Sequence, residues 1–345
     1  MIKSSGPPDK TTPGNVGDIY QNTDNGEIFV CKDVKHRPVR QQFIEVSAKD
    51  INTEYVWETT LIKFNDCTEL FKNGKRLEYL DKLDFSETTN MNNIFMKCTS
   101  LTTIPQMDTS SVTSMGMMFH SCSSLATIPQ MNTSSVTSMQ LMFYGCTSLT
   151  TIPQMDTSSV TNMNGTFIGC TSLTTIPQMD TSSVTNMLEM FSGCTSLTTI
   201  PRMDTSSVTN MAAMFNGCTS LTTIPQMDMS SVTNISNTYN MFSGCSNLTN
   251  LDLRNIKMNL QIGSGTSWGH LLTVDSLVNT IKELVTSPTP KTLTMGTDNV
   301  AKIQNLYCKI IDDTDPKKTM ELCESTEEGA MTLTDYAQLK KWNIR

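Results

Sequence analysis

The chain has 345 residues, a net charge of -8 and a pI near 5.0. Acidity without a basic tract excludes the electrostatic footprint of a nucleic-acid binder, and no run of 18 apolar residues is present to cross a membrane as a helix. Three scattered histidines, His36, His120 and His270, leave little for histidine-based catalysis or metal ligation.

In chain order, the first thirteen residues, MIKSSGPPDKTTP, are polar and proline-rich. They lack the basic stretch and apolar segment of a secretory signal, so export by that route is not expected. Asp18–Thr23 and Glu27–Cys31 alternate around Asp24-Asn25-Gly26, a strong turn signal, and predict a β-hairpin. A further strand block, Phe43–Val46, precedes Tyr55-Val-Trp57. These segments make an expected N-terminal β module over residues 1–60. The run Gly14-x-x-Gly17-Asp18-Ile19-Tyr20, continuing through Gly26-Glu27-Ile28-Phe29 to Cys31, resembles a small module of bacteriophage tail, fibre and baseplate proteins, with Trp57 as its tryptophan. The resemblance implies attachment to other virion proteins through this end.

Next comes a repeat. Cysteines stand at 98, 122, 146, 170, 194 and 218, each 24 residues apart, and Cys245 follows after 27. A phenylalanine always precedes the cysteine by three residues, from Phe95 to Phe242, and a leucine always follows it by three, from Leu101 to Leu248. A degenerate copy starts at Cys67 with an insertion around Phe71–Arg76, and a last copy runs from Leu248 to Met258. Charge almost vanishes here: Cys98–Cys245 holds only Asp108, Asp156, Asp180, Glu189, Arg202, Asp204 and Asp228, yet it carries 18 of the 25 Met.

A period this short cannot bury a core alone, so the copies are expected to stack as a solenoid. Leu101-Thr-Thr-Ile104 predicts a short strand, stopped by Pro105 because proline has no N–H to give. Asp108-Thr-Ser-Ser111 is turn chemistry. Met115, Met118, Phe119 and Cys122 recur at i, i+3, i+4 and i+7, one face of a short helix. Strands of successive coils would lie roughly 4.8 Å apart, and neutral outer residues avoid stacking like charges at that spacing. The fold class expected is therefore an α/β solenoid, a leucine-rich-repeat stack of about eight 24-residue coils over residues 61–258. The cysteines read mainly as small buried hydrophobes. The acidic row Asp108, Asp156, Asp180, Asp204 and Asp228 reads mainly as turn-organising, with a row of weak Ca²⁺ sites as the alternative.

The motif Val184-Thr-Asn-Met187-Leu-Glu-Met190-Phe191-Ser-Gly-Cys194-Thr-Ser-Leu197 resembles the leucine-rich repeats of BspA-type bacterial surface antigens, also found in mycoplasma lipoproteins. That resemblance implies an adhesive, non-catalytic solenoid.

Residues 259–345 regain ordinary charge and read as an α/β cap. Helices are predicted over Thr273–Val285, Thr297–Ile311 and Thr334–Trp342, with strands at Lys291–Met295 and Thr319–Cys323. Such a cap would cover the open end of the stack.

No nucleophile–base pattern, glycine-rich phosphate loop or metal motif occurs, and neither an enzyme nor a cofactor is expected. The functional signal is the variation between coils, concentrated between the first core Met and the Cys. On the outer side of a helix those positions would form one stripe: Met117, His120, Gln140, Leu141, Tyr144, Asn164, Ile168, Leu188, Glu189, Asn216 and Tyr239. Met117, Tyr144, Ile168 and Tyr239 would be its exposed apolar contacts. The expected function is a virion structural protein, a tail fibre, head fibre or decoration protein made in the host cytoplasm, that adheres to a host surface protein or glycan and forms a possible homo-oligomer. The alternatives are a BspA-like adhesin on a bacterial cell surface and a depolymerase spike. The last would need a carboxylate pair where each coil offers one acid.

Overall fold

The computed structural model describes residues 83–258 without a break, together with 2–4, 19–22, 28–32, 42–46, 62–63, 260–262, 271–282, 284, 291–295, 297–312, 319–323, 326–327, 330–340 and 342–344. The expected turn at Asp24–Gly26, Trp57, the copy at Cys67 with its insertion, and Gly263–Gly265 lie outside the described residues.

The 24-residue period is realised as stacked coils. Parallel bridges join Asn90 to Ser114, Ser114 to Ser138, Ser138 to Asn162, Asn162 to Asn186 and Asn186 to Asn210, one step of the repeat each. The helix predicted from the Met, Phe and Cys spacing is not formed: residues 83–258 contain no α-helix. Alternate N–H groups are used in different directions instead. Those of Met115, Met117, Phe119 and Ser121 donate to Ser138, Gln140, Met142 and Tyr144 in the next coil, at 3.4, 2.8, 2.9 and 2.6 Å. Those of Met118, His120 and Cys122 donate three residues back, to Met115, Met117 and Phe119, at 3.2, 3.1 and 3.0 Å. The result is a chain of overlapping turns sharing edges with its neighbours. An α-helix would keep every N–H for its own i−4 carbonyl and present none to the next coil. Buried backbone groups need partners, and the stack supplies them laterally. The apolar spacing survives because two such turns advance about as far along the sequence as one helical face repeat.

The predicted strand is also reduced. Leu101–Ile104 and its equivalents run extended but make one backbone bond per coil, such as Ala126 N to Thr102 O at 3.0 Å. The proline that follows each copy removes a donor from the ladder. Regular pairing begins where the proline-free final copy arrives: β7 (Thr223–Asp228) pairs in parallel with β8 (Asn250–Arg254), with an irregularity between Ile224 and Met227 around Pro225.

Side-chain ladders fill the interior. The rings from Phe95 to Phe242 stack with centroids 5.5–5.9 Å apart and planes within 13°. Cys98 through Cys245 are buried and form no disulfide, and each thiol from Cys122 onward donates to a phenylalanine carbonyl of the preceding coil, as Cys146 does to Phe119 at 3.1 Å. Burial disfavours the thiolate, so Cys146, Cys194 and Cys245 are pushed up to about 12. The one buried hydroxyl row is satisfied: Thr109, Thr133, Thr157, Thr181 and Thr205 donate to the next coil's backbone at 2.7–2.9 Å.

Before the stack, β1 (Ile2–Ser4), β2 (Ile19–Asn22), β3 (Ile28–Lys32) and β4 (Gln42–Val46) form one sheet in that order. The predicted hairpin is present, with Ile19 opposite Val30 and Tyr20 opposite Phe29. β5 (Ile62–Lys63) pairs in parallel with β6 (Leu83–Asp84).

After the stack, α1 (Val274–Lys282) closes the last coil. Thr273 caps it by accepting from Ser276 N, and the Ser276 hydroxyl accepts from Leu251 N of β8. The remaining elements are β9 (Leu260–Ile262), β10 (Lys291–Met295), α2 (Thr297–Ile303), β11 (Tyr307–Asp312), β12 (Thr319–Cys323), β13 (Met331–Thr332), α3 (Leu333–Leu339) and β14 (Trp342–Ile344). Two helix expectations are corrected here. The second helix stops at Ile303, because Tyr307–Asp312 pairs with β12 and β13, and its Ile310-Ile311 pair suits a pleated strand. The third helix yields Trp342–Ile344 to a parallel edge with β10. Lys340 is buried, donates from Nζ to Lys282 O at 2.9 Å at the end of α1, and lies over the Tyr336 ring; a cation there also complements the helix dipole.

Candidate binding stripe

The overlapping turns alternate in direction. The turn from Met117 to His120 has Met118 and Phe119 at its centre, both fully buried. The turns on either side have Gly116-Met117 and His120-Ser121 at theirs, and these residues are only partly buried. The stripe residues occupy the outward centres throughout. Gln140, Leu141, Asn164, Leu188, Glu189 and Tyr239 stand with Met117 on the first turn of each coil, and Tyr144, Ile168 and Asn216 stand with His120 on the second. One face of the stack therefore collects all eleven, although the turns that place them are not helical.

Both outward turns need a left-handed residue at their second central position. Met117, Leu141, Glu189, Ala213 and Asn240 hold φ between 50° and 55° on the first, while Gly145, Gly169, Gly193, Gly217 and Gly244 fill the second. In sequence this turn is signalled by the glycine that stands immediately before the cysteine in five of the seven copies, from Gly145 to Gly244.

Exposure differs from expectation. Tyr144 is 37% and Tyr239 69% exposed, whereas Met117 and Ile168 are half-buried. The reason is lateral packing between coils. A Cβ placed on Gly165 would lie 2.5 Å from Leu141 Cδ2 and 2.8 Å from Ile168 Cδ1, so both side chains close over that glycine. The His120 and Tyr144 rings stack at 4.4 Å and 7°. Burial chiefly, with Lys97 in the same sense, holds His120 below the ordinary imidazole value against a backbone hydrogen bond that raises it, so the ring is neutral near pH 7. His120 Nδ1 lies 2.9 Å from Ser121 Oγ, but no carboxylate among the described residues orients the ring as catalysis by such a pair requires.

The acidic row takes the turn-organising role. Oδ1 of Asp108, Asp156, Asp180, Asp204 and Asp228 accepts from the N–H two residues on, at 2.7–3.0 Å, and Asn132 does the same at 3.1 Å. The serine contacts lower the pKa of Asp156 and Asp180. Among the described residues no group of three His, Cys, Asp or Glu could hold a metal ion, and no helix is long and apolar enough to cross a membrane.

Coils of one repeat length, joined laterally along a shared apolar core, define the class as a leucine-rich-type repeat solenoid. Residues 65–175 and 171–261 match the family described as "Mycoplasma protein of unknown function, DUF285", and the chain belongs to that family. Its repeats are the BspA-like kind expected from the sequence. A leucine-rich repeat protein of T. pallidum is similar at 24% identity, over 54% of this chain and 83% of that one, with a TM-score of 0.37. No curated protein matches significantly in sequence.

Proposed function

We propose that the chain is a non-catalytic adhesin of a bacterial cell surface, which holds a surface protein or glycan along the outward-turn stripe. The observation that carries this reading is the division of labour inside each coil. The Thr-Ser-Ser turn and the Met, Phe and Cys positions repeat nearly unchanged and spend their groups on the stack. Variation gathers on the outward turns, where Tyr144 and Tyr239 present aromatic surface to solvent. Amphipathic aromatics on a rigid surface are characteristic binding anchors.

A second reading rests on the resemblance of Gly14–Cys31 to a bacteriophage tail and fibre module. On it the chain is a fibre or decoration protein attached to other virion proteins through its N-terminal region, where Ile19–Asn22 and Ile28–Lys32 form a hairpin. The two readings share the stripe and differ in where the chain sits. Antibody to the chain should label the outer face of producing cells on the first and purified particles on the second.

The stripe itself is tested with beads coated with the full chain, applied to epithelial cells and to bacterial cells. Replacing Tyr144, Ile168 and Tyr239 by Ser should reduce adhesion by about tenfold or more, in line with the loss of interface anchors. Unchanged adhesion by a variant with native circular dichroism would remove the proposal.

A further inference from the structure

A second feature lies between the proline and the Thr-Ser-Ser turn, away from the outward turns. Gln106, Gln130, Gln154 and Gln178 occupy the same place in successive coils. Each Nε2 donates to the backbone carbonyl of the matching residue one coil on, at 2.6, 2.5, 2.6 and 2.7 Å. The next coil breaks the row with Arg202, the one basic residue between Cys98 and Cys245. Its guanidinium makes no corresponding bond, and beside it the surface opens into a groove of about 560 Å³ lined by Gln178, Arg202, Asp204, Ser206, Gln226 and Asp228, with the buried Met203 at its base.

The groove holds stiff acceptors beside unspent donors. Asp204 Oδ1 is engaged by Ser206 N and Oγ at 2.9 and 2.7 Å, which fixes the carboxylate and leaves Oδ2 unengaged among the described residues. Asp228 is held on both oxygens, by Ser230 N at 2.7 Å and Asn255 Nδ2 at 2.9 Å. Arg202 and the Gln226 amide carry donors with no partner among the described residues. Elsewhere along this column the same capacity is consumed by the coil-to-coil bridges.

The geometry points to a saccharide subsite that takes one neutral pyranose unit of a glycan. A sugar hydroxyl both donates and accepts, so it needs acceptors and donors side by side; Asp204 with Arg202 and Gln226 supply them. The volume falls within the roughly 300–1,000 Å³ of small-molecule sites. Two carboxylates against one guanidinium give the lining a net negative charge, which selects against uronic and sialic acids. Met203 offers an apolar base to the C–H face of the ring.

The test is saturation-transfer NMR on the full chain with the methyl glycosides of glucose, galactose, mannose and N-acetylglucosamine, and with glucuronate as the acidic counterpart. At least one neutral glycoside should receive saturation, with glucuronate about tenfold weaker or absent. Arg202→Gln installs the residue that neighbouring coils already use, so it restores the amide row without disturbing the fold. It should weaken binding by about tenfold or more through loss of charge-assisted bonds, and Asp204→Asn should weaken it as well. Saturation of no neutral glycoside, equal binding by Arg202→Gln, or a preference for glucuronate would each overturn the assignment. The Tyr144→Ser, Tyr239→Ser chain should bind the glycoside undiminished, which separates this site from the adhesive stripe; a loss there too would count against the groove.

Discussion

At the scale of single residues, the cysteines show how a stack changes ordinary chemistry. Spacing alone identified them as a column, and the column packs inward, each thiol bonded to a carbonyl of the coil before it. Folding raises Cys146, Cys194 and Cys245 from 9.0 to about 12, with burial as the main cause. Cys170 is likewise raised well above its ordinary value, through burial and then the neighbouring Cys194 and Cys146. Because the folded pKa is the higher one, the unfolded chain releases protons first as pH increases. The stability these thiols contribute is therefore complete below about pH 8.5 and is lost as pH climbs toward their folded values, by up to about 1.4 kcal/mol per pH unit for each thiol. Urea denaturation should show a steep fall in midpoint between pH 8 and pH 10, and a thiol reagent at pH 8 should label these cysteines only after denaturant is added. Rapid labelling of Cys98 through Cys245 in the native chain, located by peptide mapping, would contradict the buried column.

At the scale of the element, the informative case is the run from Met115 to Cys122. Apolar residues at i, i+3, i+4 and i+7 fit a helical face, but they fit equally a series of turns whose every second pair points inward. Periodicity records which residues are buried and is silent on whether an N–H turns back along its own chain or across to the next. The left-handed positions decide it: Glu189 at φ 55° and Gly193 at φ 73° cannot both lie in a right-handed helix. Substitutions at these two sites distinguish the alternatives. In a helix Gly193→Ala would stabilise and Glu189→Gly would destabilise. In the observed turns the signs reverse. Gly193→Ala should lower stability by about 1–2 kcal/mol, because alanine disfavours the left-handed region that φ 73° requires. Glu189→Gly should be neutral or stabilising by up to about 1 kcal/mol. Thermal melts of both variants read the signs directly.

At the scale of the molecule, stability is a sum over coils and the contacts between neighbours. Removing one whole period, residues 171–194, rejoins Cys170 to Thr195, which already stand one repeat before and after each other's partners. The shortened chain should fold, with a lower melting temperature and a smaller denaturant slope, since less surface is exposed on unfolding. Ending the chain at Met258 is a different operation. It strips α1 from β8 and leaves the hydroxyl partner of Leu251 N and the buried Leu272, Leu277, Ile281 and Leu284 missing. An uncovered β8 edge should then associate. Sedimentation velocity distinguishes the outcomes, with a monodisperse coil deletion and a heterogeneous truncation expected.

The period, the buried columns, the turn role of the Asp-Thr-Ser-Ser segments and the positions open to variation were all determined by the sequence itself. Each follows from a rule of one residue acting on its equivalent one coil away, and repetition makes such rules visible. The direction of the backbone hydrogen bonds was decided only by the tertiary structure, because a donor chooses between its own chain and the neighbouring coil according to which carbonyl the stack brings near. The same holds for Ile168, which closes over Gly165 together with Leu141 of the adjacent coil, and for the groove beside Arg202. A single change from glutamine looks conservative in a list of residues, yet in the stack it ends a row of bridges and opens the surface.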